Sequence, residues 1–592
     1  MSASISFTIS APDPHTHLLA VEMKLLGLGE EAELVLRMPV WTPGSYLIRE
    51  YSRHVQELMV VDKDGDQRPV EKIDKASWRI DVSSCDEVAV HYRVFAHDLT
   101  VRTNHLDGTH GFFNTVATCL YPEGRLQEPV EMEVVAPKGW EVFCGLKRLP
   151  GTAVRFRAPN FDVLFDSPVE MGPHEYFDFE VEGVPHRFVI WGESNIDLDA
   201  LRRDVPPIVA QNAEMFGEIP YDRYVFINHL VDGKYGGLEH RHSSVNIYDA
   251  RGFDRMERDE SGNYGESYTN FLRLLSHEHF HAYHVKRLRP EALGPFDYQR
   301  ENYTRALWAV EGVTSYFDTY NLLQGGLITA GRYIELLEKR ISQLLQVPGR
   351  RLHSLEDAGF DAWIKLYRPD ENTKNSSVSY YLKGEIVVWL IDLWIRRHSD
   401  GSRTMADALR RLWAEYYKSQ DIGFPRGAGQ DAVTKEAGRD AEELFQHLIR
   451  SCEAIKWEEF LAPVGLEVVP GDEERRGWLG LELKKGKGGR KEVKFVARHS
   501  PAEQAGIYPK DELVAIDGWS VRGRKVGETI AEVDPGEPIV VHVLRRARLL
   551  ELEATAGVAP PKSFRIQKRD GASEGELKLL EGWLGTTSWE KQ

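Results

Sequence analysis

His277 and His281 stand four residues apart with Glu278 beside the first, in the run Leu275-Ser-His-Glu-His-Phe-His281. On a helix this spacing puts both imidazoles on one face, one turn apart, where they can share a single divalent ion. Neutral imidazole suits zinc and leaves it Lewis-acidic. A carboxylate next to the activated water can take its proton as it attacks a carbonyl, then pass that proton to the leaving amine. Such a centre needs a third protein ligand and one open position. Glu311, in Trp308-Ala-Val-Glu-Gly312, is the leading candidate, because Leu307, Trp308, Val310, Val313 and Phe317 around it are apolar and a carboxylate in that company calls for a cation. Glu301 precedes that apolar run and is the competing acid. His279 and His284 leave a different pairing on the same helix open.

A substrate that presents an ammonium to such a centre needs an anion at a fixed distance from the metal, since a buried ammonium without a partner is costly. Glu239, after Gly236 and Gly237, could supply it, and a turn acid is the plain alternative. The two glycines suggest close backbone approach at a substrate edge strand.

The elements that must position these groups are legible as a change of period. Through about residue 170 apolar and polar residues alternate between turn signals, as in Glu87-Val-Ala-Val-His-Tyr-Arg-Val94, which predicts a β-sandwich-like domain. Trp41-Thr-Pro-Gly-Ser-Tyr46 interrupts it as a loop, with Tyr46 and Arg49 as possible pocket residues. From about 200 the helical period takes over, predicting helices over 272–287, 306–323, 333–345, 378–397 and 441–452, with strands around Tyr224 and Ser244 before them. After Pro470 strands return. The expected divisions are 1–170, 171–467, 468–558 and a polar tail, 559–592, partly disordered.

Composition narrows the class. The 592 residues carry 92 acidic against 74 basic side chains, a formal net charge of −18, which argues against nucleic acid or anionic lipid as a main partner. No apolar run approaches the roughly 18–20 residues that span a bilayer, and the first residues lack a secretory pattern. Four well-separated cysteines fit free thiols in a reducing compartment, so a cytoplasmic location is expected.

Several segments resemble a known family. A His-Glu-x-x-His helix followed by Trp-x-x-Glu-Gly is similar to the thermolysin-like peptidases whose third ligand is glutamate. Gly236-Gly-Leu-Glu-His240 resembles the Gly-x-Met-Glu-Asn segment of aminopeptidase N-type enzymes, and Tyr381-Leu-Lys-Gly384 resembles their Tyr-x-Lys-Gly. Leu238 and His240 depart from that pattern, and the spacing to the third ligand is longer. With Pro39-Val-Trp-Thr-Pro-Gly-Ser-Tyr-Leu-Ile-Arg-Glu50 and Asp166-Ser-Pro-Val-Glu-Met-Gly172, the likeness is to the glycyl-aminopeptidase family of PDZ-carrying metallopeptidases. It implies a multidomain α+β chain with a thermolysin-like, mostly helical catalytic domain. It further implies zinc on His277, His281 and Glu311, Glu278 as base and acid, Glu239 on the substrate amine and Tyr381 on the oxyanion, with peptides beginning in Gly or Ala as substrates. Gly477-Trp-Leu-Gly-Leu-Glu-Leu483 and Ser500-Pro-Ala-Glu-Gln-Ala-Gly506 resemble a PDZ domain, whose backbone at Leu479, Gly480 and Leu481 would receive a peptide C-terminus. A zinc endopeptidase that captures substrate through the PDZ unit, and a scaffold with an inactive peptidase fold, are the alternatives.

Overall fold

The computed structural model describes residues 4–29, 31–471 and 476–589. It is a mixed α/β chain with a β-rich N-terminal region and a helical middle, and it divides into two compact units: Met1–Thr304 with Phe317–Thr329 and Leu409–Ala428, and Arg305–Tyr316 with Ala330–Ala408 and Gly429–Gln592.

In the first unit, alternation of side chains builds the N-terminal sheets. Ile5–Ser10 buries every second residue, pairs antiparallel with Leu18–Leu26 and parallel with Val130–Val135, and belongs to a seven-stranded sheet. Two four-stranded sheets close over the same apolar core. Val169–Gly172 still pairs with Gly111–Phe113 and Glu141–Cys144, so the N-terminal sheets extend to residue 172.

A five-stranded sheet follows, in the order Glu175–Val181, Val184–Trp191, Tyr224–Leu230, Ser243–Tyr248, Gly236–Glu239. Its middle strand, Tyr224–Leu230, is buried at every residue. The short strand Gly236–Glu239 lies at the edge, antiparallel to Ser243–Tyr248. Leu198–Phe216, capped by the Asp197 side chain and closed by left-handed Gly217, packs with the helix Glu266–Phe280, which itself lies on the strands Ser243–Tyr248 and Gly236–Glu239. That second helix begins six residues before the periodicity predicts and stops at Phe280. There His281 Nδ1 donates to the carbonyl of His284 at 2.7 Å, and the chain leaves the helix in tight turns.

The second unit holds the helices Ala330–Leu345 and Tyr380–His398, the latter with a Ser379 N-cap and Arg396, Arg397 and His398 in its last turn. The turn Trp308–Gly312 is π-helical and leads into the α-helix Val313–Gln324. A sheet of Leu481–Lys485, Lys491–Val496, Glu512–Ile516, Pro538–Arg545 and Arg548–Thr555 has its own core. The polar tail expected to be partly disordered is instead built into this unit. Phe564–Lys568 pairs with Leu466–Pro470, and the capping-box helix Glu574–Leu584 buries Trp583 against Trp389 and Tyr333. Among the described residues no helix is long and apolar enough to cross a membrane.

Candidate active site

His277 and His281 project from the end of the Glu266–Phe280 helix with their Nε2 atoms 3.2 Å apart. Both Nδ1 atoms are engaged. His277 Nδ1 donates to Asp318 Oδ2 at 3.0 Å, and His281 Nδ1 donates to the His284 carbonyl. Asp318 is in turn held through Oδ1 by Arg273 Nε and Nη2, at 3.2 and 3.1 Å, and by the Thr319 hydroxyl. Rings whose protons sit on Nδ1 turn their Nε2 lone pairs toward each other, and a shared cation satisfies both. Tetrahedral zinc with nitrogen ligands separates them by about 3.3 Å. The donor set therefore fits a divalent metal.

Glu278 is buried, and Glu239, Glu278 and His281 bring one ligand atom each within 4.8 Å of the others. Two carboxylates this close in a buried site call for positive charge. Gly237 makes the approach possible: a Cβ there would overlap the Glu278 carboxylate, with Cγ at only 2.6 Å. The backbone at Gly237 therefore passes directly against the Glu278 side chain.

The N-terminal region supplies the surroundings of Glu239. Gly44, at φ +86°, sits so close that a Cβ would stand 2.7 Å from Glu239 Oε2. Arg102 Nη2 donates to the Gly237 carbonyl at 3.1 Å. Asp166, at the C-cap of the short helix Phe161–Phe165, accepts from His240 Nδ1 at 3.1 Å, from the Arg241 backbone N–H at 2.7 Å and from Lys286 Nζ at 2.8 Å. Burial opposes the charge on Lys286, but Asp166, then Glu239, hold its ammonium above the ordinary range. Tyr46 stacks on Trp41, and Arg49 donates to Ser45.

In the second unit the glycines of two motifs meet. A Cβ on Gly312 would lie 2.6 Å from the Gly384 Cα, so the π-helical turn and the helix Tyr380–His398 touch backbone to backbone. That contact sets buried Glu311 beside Tyr381, whose phenol is pushed well up by burial and then by the Glu311 charge. The hydroxyl stays protonated and able to donate. Tyr380 is fully buried, stacked on Tyr381.

The remaining candidates resolve by their partners. His279 is enclosed, with Asn212 at 2.8 Å on Nδ1 and the Tyr221 hydroxyl at 2.5 Å on Nε2, and burial holds it well below the usual histidine range. It is a structural histidine. Glu301 lies in an irregular stretch and belongs to no donor cluster among the described residues.

A second histidine cluster escaped the sequence reading. Glu170 Oε1 accepts from His110 Nδ1 at 2.9 Å and His174 Nε2 at 2.7 Å, and Oε2 accepts from His229 Nε2 at 2.7 Å, all fully or almost fully buried. Its donor types match a metal site. Its distances are those of hydrogen bonds, shorter than a tetrahedral edge, and the outer nitrogens His110 Nε2 and His229 Nδ1 meet no acceptor of the kind that backs a metal-bound imidazole. The neighbouring group His105, Asp107 and His110 shares that histidine, and Asp107 is occupied by the backbone N–H groups of Thr109 and His110. The signal that could have found Glu170 is its place in Asp166-Ser-Pro-Val-Glu-Met-Gly172. Asp318 carries no local pattern, and Asp166 and Gly44, though they lie in quoted segments, show nothing there of the partners they meet.

A family model of the M61 peptidase N-terminal domain matches residues 6–173, and one of M61 glycyl aminopeptidase matches residues 270–387. Among solved structures the chain is similar to an aminopeptidase N family protein from Idiomarina loihiensis, with 31% identity over 98% of this chain and 100% of that one and a TM-score of 0.91. An M1 zinc metallopeptidase from Deinococcus radiodurans aligns at 12% identity over 76% of this chain and 94% of that one, with a TM-score of 0.48. A probable CtpA-like serine protease from Staphylococcus haemolyticus is 27% identical over 165 residues, which is 28% of this chain and 30% of that relative's length.

Proposed function

The chain belongs to the M61 glycyl aminopeptidase family, and from that membership we propose that it is a zinc aminopeptidase that removes small residues, Gly and Ala, from peptide amino termini. The observation that carries this reading is the pair of imidazoles facing each other through Nε2, each backed at Nδ1 by an acceptor. We assign zinc to His277 and His281, with Glu311 as its third protein ligand, a set of donors whose chemistry suits that ion. When bound, zinc supplies Lewis acidity toward the scissile carbonyl and the attacking water.

The side chains divide the remaining work. Glu278 takes the proton of the attacking water and hands it to the departing amine. Glu239 binds the substrate ammonium, and its distance from the metal-binding helix determines that cleavage follows the first residue. Tyr381 donates a hydrogen bond to the developing oxyanion, a role supported by its protonated phenol. Gly44 closes the space over Glu239, which fits a first residue with little or no side chain.

We further read 468–558 as PDZ-like. Leu479 is buried, Gly480 takes a left-handed φ of +78°, and Leu481–Lys485 is an edge strand, all of which suit capture of a peptide C-terminus at Leu479, Gly480 and Leu481.

One panel tests the main reading: free and N-acetylated Gly-, Ala- and Leu-p-nitroanilide, with and without chelator, on the wild type and Glu239→Gln. Cleavage of the free Gly and Ala forms, lost with chelator and weakened at least about tenfold in kcat/KM by the substitution, is the expected result. Equal turnover of the acetylated forms would instead indicate an endopeptidase.

A further inference from the structure

Lys383, in the Tyr381-Leu-Lys-Gly384 segment, has no part in the chemistry above. It lies on the helix Tyr380–His398, is 3% exposed, and lines a cavity of about 260 Å³. Among the described residues its ammonium has neither a hydrogen-bond acceptor nor an ion-pair partner. Burial, countered by Cys452 and reinforced by Arg350, brings its pKa down to about 8.

Two further cations line the cavity. Arg350 and Arg351, from the short turn Pro348–Arg351, line it with Lys383. The Arg350 guanidinium is also lowered, by burial and then by Arg351, as expected for a cation with no anion beside it. The one lining carboxylate, Glu453, is largely exposed and accepts from His447 Nδ1 at 3.1 Å. Three cations therefore converge on an enclosed space in a chain whose net charge is −18. An enclosed ammonium without an acceptor is costly, and an anion placed there removes the cost. The rest of the wall is apolar, from Leu344, Ile455 and Trp457, so the space suits a small oxyanion and excludes a polymer.

We propose that this cavity is a binding site for a small oxyanion, carboxylate or phosphate, held by Lys383 and Arg350 with Arg351 at its mouth. The site is independent of the peptidase centre in its ligands, yet it shares a helix with Tyr381, two residues before Lys383. Occupancy neutralises the buried Lys383 ammonium near that end of the helix and secures its first turns.

The test uses the full-length, zinc-loaded chain. Sodium phosphate and sodium butyrate are titrated at constant ionic strength against sodium chloride, with melting temperature and calorimetric heat as readouts. The expected result is a saturable rise on the order of 2 °C or more with at least one of the two anions, absent in Lys383→Met and reduced in Arg350→Gln. Response to phosphate alone identifies a phosphoryl ligand, to butyrate alone a carboxylate, and to both the shared oxyanion chemistry. No saturable response beyond chloride in the wild type overturns the proposal, as does an undiminished response in Lys383→Met. Should that variant not fold, an undiminished response in Arg350→Gln overturns it equally.

Discussion

Asp318 accepts the His277 Nδ1 proton while Arg273 and Thr319 hold its other oxygen, so the carboxylate fixes both the tautomer and the direction of the ring. Asp318→Asn keeps the size and loses the charge. It is expected to weaken zinc affinity by about 10–100-fold, measured by competition with a chromogenic chelator, with the circular dichroism spectrum unchanged. Gly44 is constrained twice, by its left-handed backbone and by the Glu239 carboxylate against its face. Gly44→Ala forces that carboxylate aside, and its expected signature is a KM for Gly-p-nitroanilide raised about tenfold or more while zinc content stays at the wild-type level. His277, Glu278 and His281 are readable from the sequence because helix geometry turns a local spacing into a shared face. The partners of Asp318, Asp166 and Gly44 are not, because each is reached across a long stretch of chain.

At the scale of elements, the two glycines Gly312 and Gly384 let a π-helical turn and an α-helix approach until their backbones touch. A methyl group at either position separates them. Gly384→Ala is expected to cost roughly 1–3 kcal/mol of stability, read by urea denaturation, and to lower kcat more than it raises KM, since Tyr381 moves with the helix. The motifs containing these glycines were legible, and the periodicity placed the helices Ala330–Leu345 and Tyr380–His398 to within a few residues, while it shifted Glu266–Phe280 by six and gave no sign of Leu198–Phe216. The π geometry was hidden, because a five-residue widening leaves the apolar pattern almost intact. The helix Glu574–Leu584 was missed for another reason: its charged, glycine-containing stretch reads as solvated until Trp583 is seen to have a slot between Trp389 and Tyr333. Leu584→Asp tests how far that docking stabilises the unit. Placing a charge at a site 2% exposed is expected to cost about 2 kcal/mol or more, measured by denaturant unfolding.

At the scale of the whole molecule, Glu170 ties the N-terminal sheets to the strand Tyr224–Leu230 through His229. Burial works against its charge, yet the facing His110 and His229, with the hydrogen bonds of His110 and His174, hold the carboxyl well below its ordinary 4.5. Burial, opposed by Glu170, holds His229 below its ordinary 6.5. Each depressed value favours the deprotonated form in the folded chain. Each contribution is therefore complete above the ordinary value and fades as pH falls. Acidification is expected to lower the melting temperature from about pH 6.5 downward, and Glu170→Gln, which removes the charge that opposes burial of His229, should deepen the loss between pH 6.5 and 5 in a calorimetric pH series.

The slot filled by Trp583 also has a consequence for how the chain is made. The helices Ala330–Leu345 and Tyr380–His398 present two aromatic walls, Tyr333 and Trp389, against which an indole arriving some two hundred residues later packs. While synthesis is under way those walls face water, and the helical unit cannot reach its finished packing until residue 583 has cleared the ribosome. A nascent chain arrested before that point would carry a sticky aromatic cleft, the sort of surface on which holding chaperones settle.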